Sequence, residues 1–132
     1  MLKRIIIILL VLALVVSVPL IISHAPRTPI KADCETPERI EVKSGNSGKE
    51  CTITDPEVLE WITDTFRGDE FRRSGSALGA GWSFKMTFVF EGEGRTTFIL
   101  TSPEELKIGF SFYAPVSGES YAQVFDYLSD LL

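Results

Sequence analysis

Histidine occurs once in this chain, at His24, and cysteine only twice, at Cys34 and Cys51. That scarcity excludes the usual zinc-ligand spacings, and no Ser-His-Asp or Cys-His arrangement can be assembled downstream of His24. Acidic residues are missing altogether before Asp33, and no charge of either sign falls between Ile5 and Ile22. Phosphate-loop chemistry is missing too. Gly75-Ser76-Ala77-Leu78-Gly79-Ala80-Gly81 lacks the Lys-Ser/Thr ending and leads toward a strand instead of a helix N-terminus. The carboxylate neighbours Glu104 and Glu105, and Glu91 with Glu93, sit in turn-like segments without the spacing of a calcium loop. The expectation is a protein that is not an enzyme, with no cofactor and no metal.

What the sequence has in abundance is an apolar run. The 18 residues from Ile5 to Ile22 hold a single polar side chain, Ser17. As a helix they span about 27 Å, close to the hydrocarbon thickness of a bilayer. Met1-Leu2-Lys3-Arg4 supplies the short basic flank that a signal-anchor and a secretory leader share. The run exceeds a normal leader core in length, and Pro26 follows directly on the small-residue site Ser23-His24-Ala25, which opposes cleavage there. Residues 1–23 are therefore read as an uncleaved transmembrane signal-anchor, with a removed leader and a secreted product as the alternative. Lys3 and Arg4 on one side nearly balance Arg27 and Lys31 on the other. The four-residue tail is the easier part to retain, so the expected location is the cell membrane, single-pass, with the C-terminal domain extracytoplasmic. Residues 24–37, with three prolines, read as a stalk, and 38–132 as one domain.

From Asp33 onward the chain carries all 18 acidic residues against nine basic ones, a net charge of −9. Such a balance repels nucleic acid and anionic lipid headgroups, and nucleic acid is excluded as a partner. All the Phe, Tyr and Trp also lie here, so the segment folds. Cys34 and Cys51 form a candidate disulfide suited to an exported domain, with free thiols or intermolecular pairing as the alternatives. A hairpin pairing Arg39–Lys43 with Lys49–Ile53 places Cys51 near Val42. A straight strand from there to Cys34 measures about 26 Å, so a bridge requires the chain around Thr36-Pro37 to fold back. Arg67, Arg72 and Arg73, around Phe71, are the single basic cluster and a candidate site for an anionic partner.

The expected elements follow from spacing. Arg39–Lys43 and Lys49–Ile53 alternate as a hairpin around Ser44-Gly45-Asn46-Ser47-Gly48. Thr54 and Glu57 have capping-box spacing, Ile53 and Val58 staple spacing, and Pro56 falls in the first turn of a helix whose apolar face is Val58, Leu59, Ile62 and Phe66. Asp69–Gly81 reads as a loop. Trp82, Phe84, Met86, Phe88 and Phe90 then alternate as a strand, Arg95–Thr101 returns, and Leu106–Tyr113 makes a third strand with Leu106, Ile108, Phe110 and Phe112 on one face. Phe88 and Phe110 are both expected at the core. Tyr121, Val124, Phe125, Leu128 and Leu131 recur at helical spacing after a start near Ser117. The fold class is α+β: an antiparallel sheet made of a two-strand hairpin and a three-strand meander, two helices on one face, and the transmembrane helix ahead of them.

Ile53-Thr54-Asp55-Pro56 opening a helix, Gly81-Trp82 opening a meander and a late helix containing Tyr121 together resemble small exported or membrane-anchored domains of unknown function from Gram-positive bacteria. The resemblance implies an envelope location and assigns no catalytic or binding residue. The functional expectation is a tethered, non-enzymatic binding module at the cell envelope, meeting an envelope protein or small ligand through the uncovered side of its sheet. The alternative is an accessory subunit that associates with a membrane complex through its anchor, and the third reading is a secreted domain or an unrecognised enzyme.

Overall fold

The computed structural model describes residues 1–76, 81–92 and 94–132, with the side chains of 20–24, 75 and 76 outside that description. Three helices and a seven-stranded antiparallel sheet make a mixed α+β structure. The first helix, α1 (Leu2–His24), is the apolar run. Its residues up to Pro19 are all exposed. It is long and apolar enough to cross a membrane, a test that a signal sequence also passes.

Strands β1 (Arg39–Ser44) and β2 (Glu50–Ile53) pair antiparallel with Val42 opposite Cys51. Helix α2 (Pro56–Gly68) follows. Its cap is Asp55, not Thr54: the Asp55 carboxylate accepts from the Glu57 backbone N–H at 3.0 Å. Pro56 is the cause. Its fixed φ suits the first helical position, and the preceding residue is pushed to extended geometry, which makes Asp55 the capping position.

The segment read as a loop contains a further strand, β3 (Phe71–Ser76), while Ala77–Ala80 lie outside the described residues. Its sequence, FRRSGS, has no β-branched residue and no clean alternation. Pairing with a distant partner supplies what local preference does not. Strands β4 (Phe84–Val89) and β5 (Arg95–Ser102) come next, with Glu93 between them outside the described residues.

The expected single strand over Leu106–Tyr113 is two strands, β6 (Glu105–Ile108) and β7 (Ser111–Pro115), joined by Gly109-Phe110. Gly109 has a φ of 62° while Phe110 does not leave the negative range, the pattern of a type II′ hairpin turn. The reversal changes which side chains face inward: Leu106 pairs with Tyr113, and Lys107 with Phe112. Phe110 consequently lies at the turn tip, 85% exposed, which corrects its placement in the core. Helix α3 (Glu119–Leu131) closes the chain, starting two residues later than expected.

The strand order is β2-β1-β4-β5-β6-β7-β3. The chain therefore leaves one edge at β2 and re-enters at the opposite edge, β3, with α2 as the only element between. Six inter-strand steps amount to roughly 29 Å, and a 13-residue helix covers about 20 Å of that path. Phe66 near the end of α2 meets the sheet rings directly. It stacks on Phe98 at 5.0 Å and lies edge-on to Phe88 at 5.5 Å, with Phe71 and Tyr121 both at 6.3 Å. Phe125 of α3 meets Phe84 at 5.2 Å. The Tyr121 hydroxyl reaches past this core to the β5–β6 turn, 2.7 Å from the Glu105 carbonyl and 3.0 Å from that of Ser102. Burial pushes its ionisation far up, with the Glu105 carboxylate adding to the effect.

Gly45 marks a close approach. Its N–H donates to the Ser83 carbonyl at 2.8 Å, and a Cβ there would stand 2.3 Å from the Trp82 carbonyl oxygen. Only glycine allows the β1–β2 turn to lie against the strand that enters β4.

The segment expected to be a stalk packs on the domain instead of hanging free. Arg27 and Phe71 exchange both backbone hydrogen bonds, at 2.9 and 2.8 Å. Ile30 donates its N–H to the Phe66 carbonyl and buries its side chain in the core, and Pro37 is buried as well. Three prolines without periodicity hide this, because the contacts are single anchors and not a repeating face.

The contrast between two phenylalanines tests the hairpin reversal. Phe88→Ala should cost about 3–5 kcal/mol in urea unfolding, while Phe110→Ala should change stability by less than about 0.5 kcal/mol. Comparable losses at the two positions would contradict the turn at Gly109-Phe110.

Candidate functional site

The side of the sheet opposite Phe66 carries the alternate residues of every strand. Register assigns to it Arg39, Glu41 and Lys43 from β1, Glu50 and Thr52 from β2, and Lys85, Thr87 and the buried Val89 from β4. Arg95, Thr97 and Ile99 of β5, Glu105 and Lys107 of β6, Phe112 and Ala114 of β7 and Arg72 of β3 lie on it too. One row crosses six of the seven strands, from β2 to β7: Glu50, Lys43, Lys85, Ile99, Lys107, Phe112. A second row places Thr52, Glu41, Thr87 and Thr97 side by side, with the Thr87 and Thr97 hydroxyls 3.1 Å apart.

Charge on this face runs against that of the domain. Six of its residues are cations, Arg39, Lys43, Arg72, Lys85, Arg95 and Lys107, against three carboxylates, Glu41, Glu50 and Glu105. Glu41 lies between Arg39 at 3.1 Å and Arg95 at 3.4 Å. The Arg39 hydrogen bond and the neighbouring Arg95 charge hold its carboxyl below the usual range. Lys43 reaches Glu50 at 3.7 Å. Lys85, directly opposite Lys43, makes no ion pair among the described residues, and neither do Lys107 and Arg72. The opposite side bears the acidic excess: exposed Glu57, Glu60 and Asp64 on α2, and Glu119, Asp126 and Asp130 on α3.

A cleft of about 390 Å³ opens on the basic face between β2, β1 and β4, lined by Glu41, Lys43, Glu50, Thr52, Lys85 and Thr87. A second, of about 350 Å³, lies where Ile30 and Cys34 of the N-terminal segment meet Phe90 and Thr96. Among the described residues no group of three or more His, Cys, Asp or Glu gathers in a way that could hold a metal ion.

The arginines read as one cluster are not brought together. Arg67 donates through Nε to the Asp64 carboxylate at 2.7 Å and through Nη1 to the Cys34 carbonyl at 2.7 Å, which straps the N-terminal segment to α2. Arg72 and Arg73 are consecutive in edge strand β3, so they point to opposite sides of the sheet: Arg72 pairs with Ala114, and Arg73 with Tyr113. The cations that do assemble, Lys43, Lys85 and Lys107, come from three strands and are 22 to 64 positions apart in the chain. Only the outward alternation of Lys43 and Lys85 could have signalled them. Of the carboxylate pairs, Glu104 and Glu105 lie at the β5–β6 turn, while Glu93 falls outside the described residues.

Cys34 and Cys51 stand as free, half-buried thiols. Burial pushes the Cys51 thiol up, which disfavours its thiolate. Comparison of the chain with protein-family models, with curated proteins and with solved structures returns no match.

A raised thiol on a half-buried strand should react slowly. At pH 8 the folded, reduced protein should alkylate at Cys51 at least several-fold more slowly than the same protein in denaturant, by mass spectrometry of the peptide containing it. Equal rates in the two states would contradict the burial of this side chain.

Proposed function

We propose that this chain is a single-pass, membrane-tethered binding module without catalytic activity, whose domain sits outside the cytoplasm and meets its partner through the open face of the sheet. In this reading α1 stays in the bilayer as an anchor, and α2 and α3 together cover one face so that the other is left for recognition. The observation that carries it is the asymmetry of the sheet. Rings from both helices meet the side bearing Phe84, Phe88 and Phe98, while the residues of the Lys43–Phe112 row are exposed or half-buried. A large antiparallel sheet with one solvated face offers a broad, rigid platform on which side-chain positions are fixed by register.

Rigidity supports the same reading. The face is built on strands, not loops, and its threonines and lysines alternate with fully buried Met86, Phe88, Phe98 and Leu100. Such a surface holds its groups in place without needing to fold on contact.

Site-specific photo-crosslinking in native membranes tests it. A photoreactive residue replacing exposed Thr97 on the open face should capture one reproducible envelope component, protein or lipid. The same residue replacing Asp126, on the outer side of α3, should capture none. Equal capture at both positions, or capture only at Asp126, would refute the assignment of the open face.

A further inference from the structure

We infer that the occupant of the open face is the anionic leaflet of the very membrane in which α1 is anchored, so that the domain lies on the lipid surface with its basic face down and its acidic helices outward. This rests on the anchored reading of α1 and names the partner of the face proposed above.

Three independent observations converge. The first is charge placement. Nine cations follow Asp33 in the sequence, and six of them occupy the uncovered face, although the domain as a whole is strongly acidic. Lys43 directly opposes Lys85 on the neighbouring strand, an unfavourable like-charge pairing in which Glu50 compensates Lys43 and leaves Lys85 open to an anion. The exposed carboxylates of α2 and α3 fall on the other side, so a negative surface attracts one face and repels the other.

The second is the tether. Only Ala25 and Pro26 separate the end of α1 from Arg27, which is bonded to Phe71 through both backbone hydrogen bonds. Arg27 is further fixed by its guanidinium, 4.5 Å from the centre of the Tyr113 ring and hydrogen-bonded to the Tyr113 hydroxyl. The three Cα steps from His24 to Arg27 reach at most about 11 Å, so the β3 edge stays within headgroup range of the bilayer, and Arg72 on that strand begins the basic face at the membrane. Tethering at this length turns lipid contact into an intramolecular event, which a soluble polyanion does not share.

The third is the apolar spacing within the row. Ile99 stands between Lys85 and Lys107, and Phe112 beyond Lys107. Half-buried apolar groups alternating with lysines suit a headgroup layer, where the stems lie flat and the ammonium groups reach phosphate.

Lysine footprinting tests the assignment on the full chain reconstituted in phosphatidylcholine vesicles with or without phosphatidylglycerol. With a membrane-impermeant acetylating reagent at low salt, Lys85 and Lys107 should be modified several-fold more slowly in the phosphatidylglycerol vesicles, relative to Lys49 in the β1–β2 turn. High salt should restore the rates. A Lys85→Glu/Lys107→Glu variant that retains the wild-type circular dichroism should lose the corresponding protection of Lys43. Unchanged rates in a chain that floats with both vesicle types would overturn the docking and leave the anchor intact. A chain that floats with neither would overturn the anchor and the docking together. Protection of the same lysines by soluble polyphosphate over phosphatidylcholine vesicles, equal to that by phosphatidylglycerol, would overturn the lipid as occupant in favour of a soluble polyanion.

Discussion

The structure depends on one ring. Phe66 sits where the crossing helix ends, fully buried, and touches Phe71 of β3, Phe88 of β4, Phe98 of β5 and Tyr121 of α3. Each such pair adds about 0.5–1.5 kcal/mol beyond simple burial, but the larger consequence is topological. The chain must pass from the β2 edge to the β3 edge, and this contact fixes the path across one side of the sheet. Phe71 is held by the same ring, and Phe71 in turn pairs with Arg27, the first residue fixed to the domain after α1. The Phe66 carbonyl also accepts from Ile30. One side chain and its backbone thereby set which face is covered, where the edge strand lies and where the chain enters the domain.

Local periodicity carried a good part of this arrangement. The apolar run of α1, the alternation of β4, the spacing of α3 and the pairing of Val42 with Cys51 all follow from neighbours in sequence, because each element presents a repeating face. The misreadings share a cause of the opposite kind. FRRSGS has no pattern of its own and becomes β3 only because β7 waits at the sheet edge. Leu106 to Tyr113 alternates well enough for a continuous strand, yet a single positive φ at Gly109 reverses it and exchanges Phe112 for Tyr113 at the core. Residues 24–37 looked like a stalk because an isolated Ile30 and Pro37 make no stripe. The lysine row was the least legible feature, since its members meet only through the register of five adjacent strands, β1-β4-β5-β6-β7.

Net charge is a poor guide to the charge of any one face. An acidic total suggests a molecule repelled by anions, but sheet alternation sorts charge by face, and nothing requires the two faces to agree. Here Glu and Asp gather on the helices while lysine and arginine gather on the strands' outer side. The folded domain is therefore an electrical dipole mounted on a short tether. In the proposed reading that geometry gives a preferred orientation beside a negative surface, with the apolar helix holding the platform where its charge can act. The cysteines play no evident part in this, being half-buried and separated in the fold between the N-terminal segment and edge strand β2.

The whole account turns on α1 remaining joined to the domain within the bilayer. The most direct measurement is the intact mass of the protein recovered from native membranes after alkaline carbonate washing. The account predicts a chain that resists extraction and whose mass includes Leu2–His24. A species released by alkali, with a mass that lacks this helix, would contradict it.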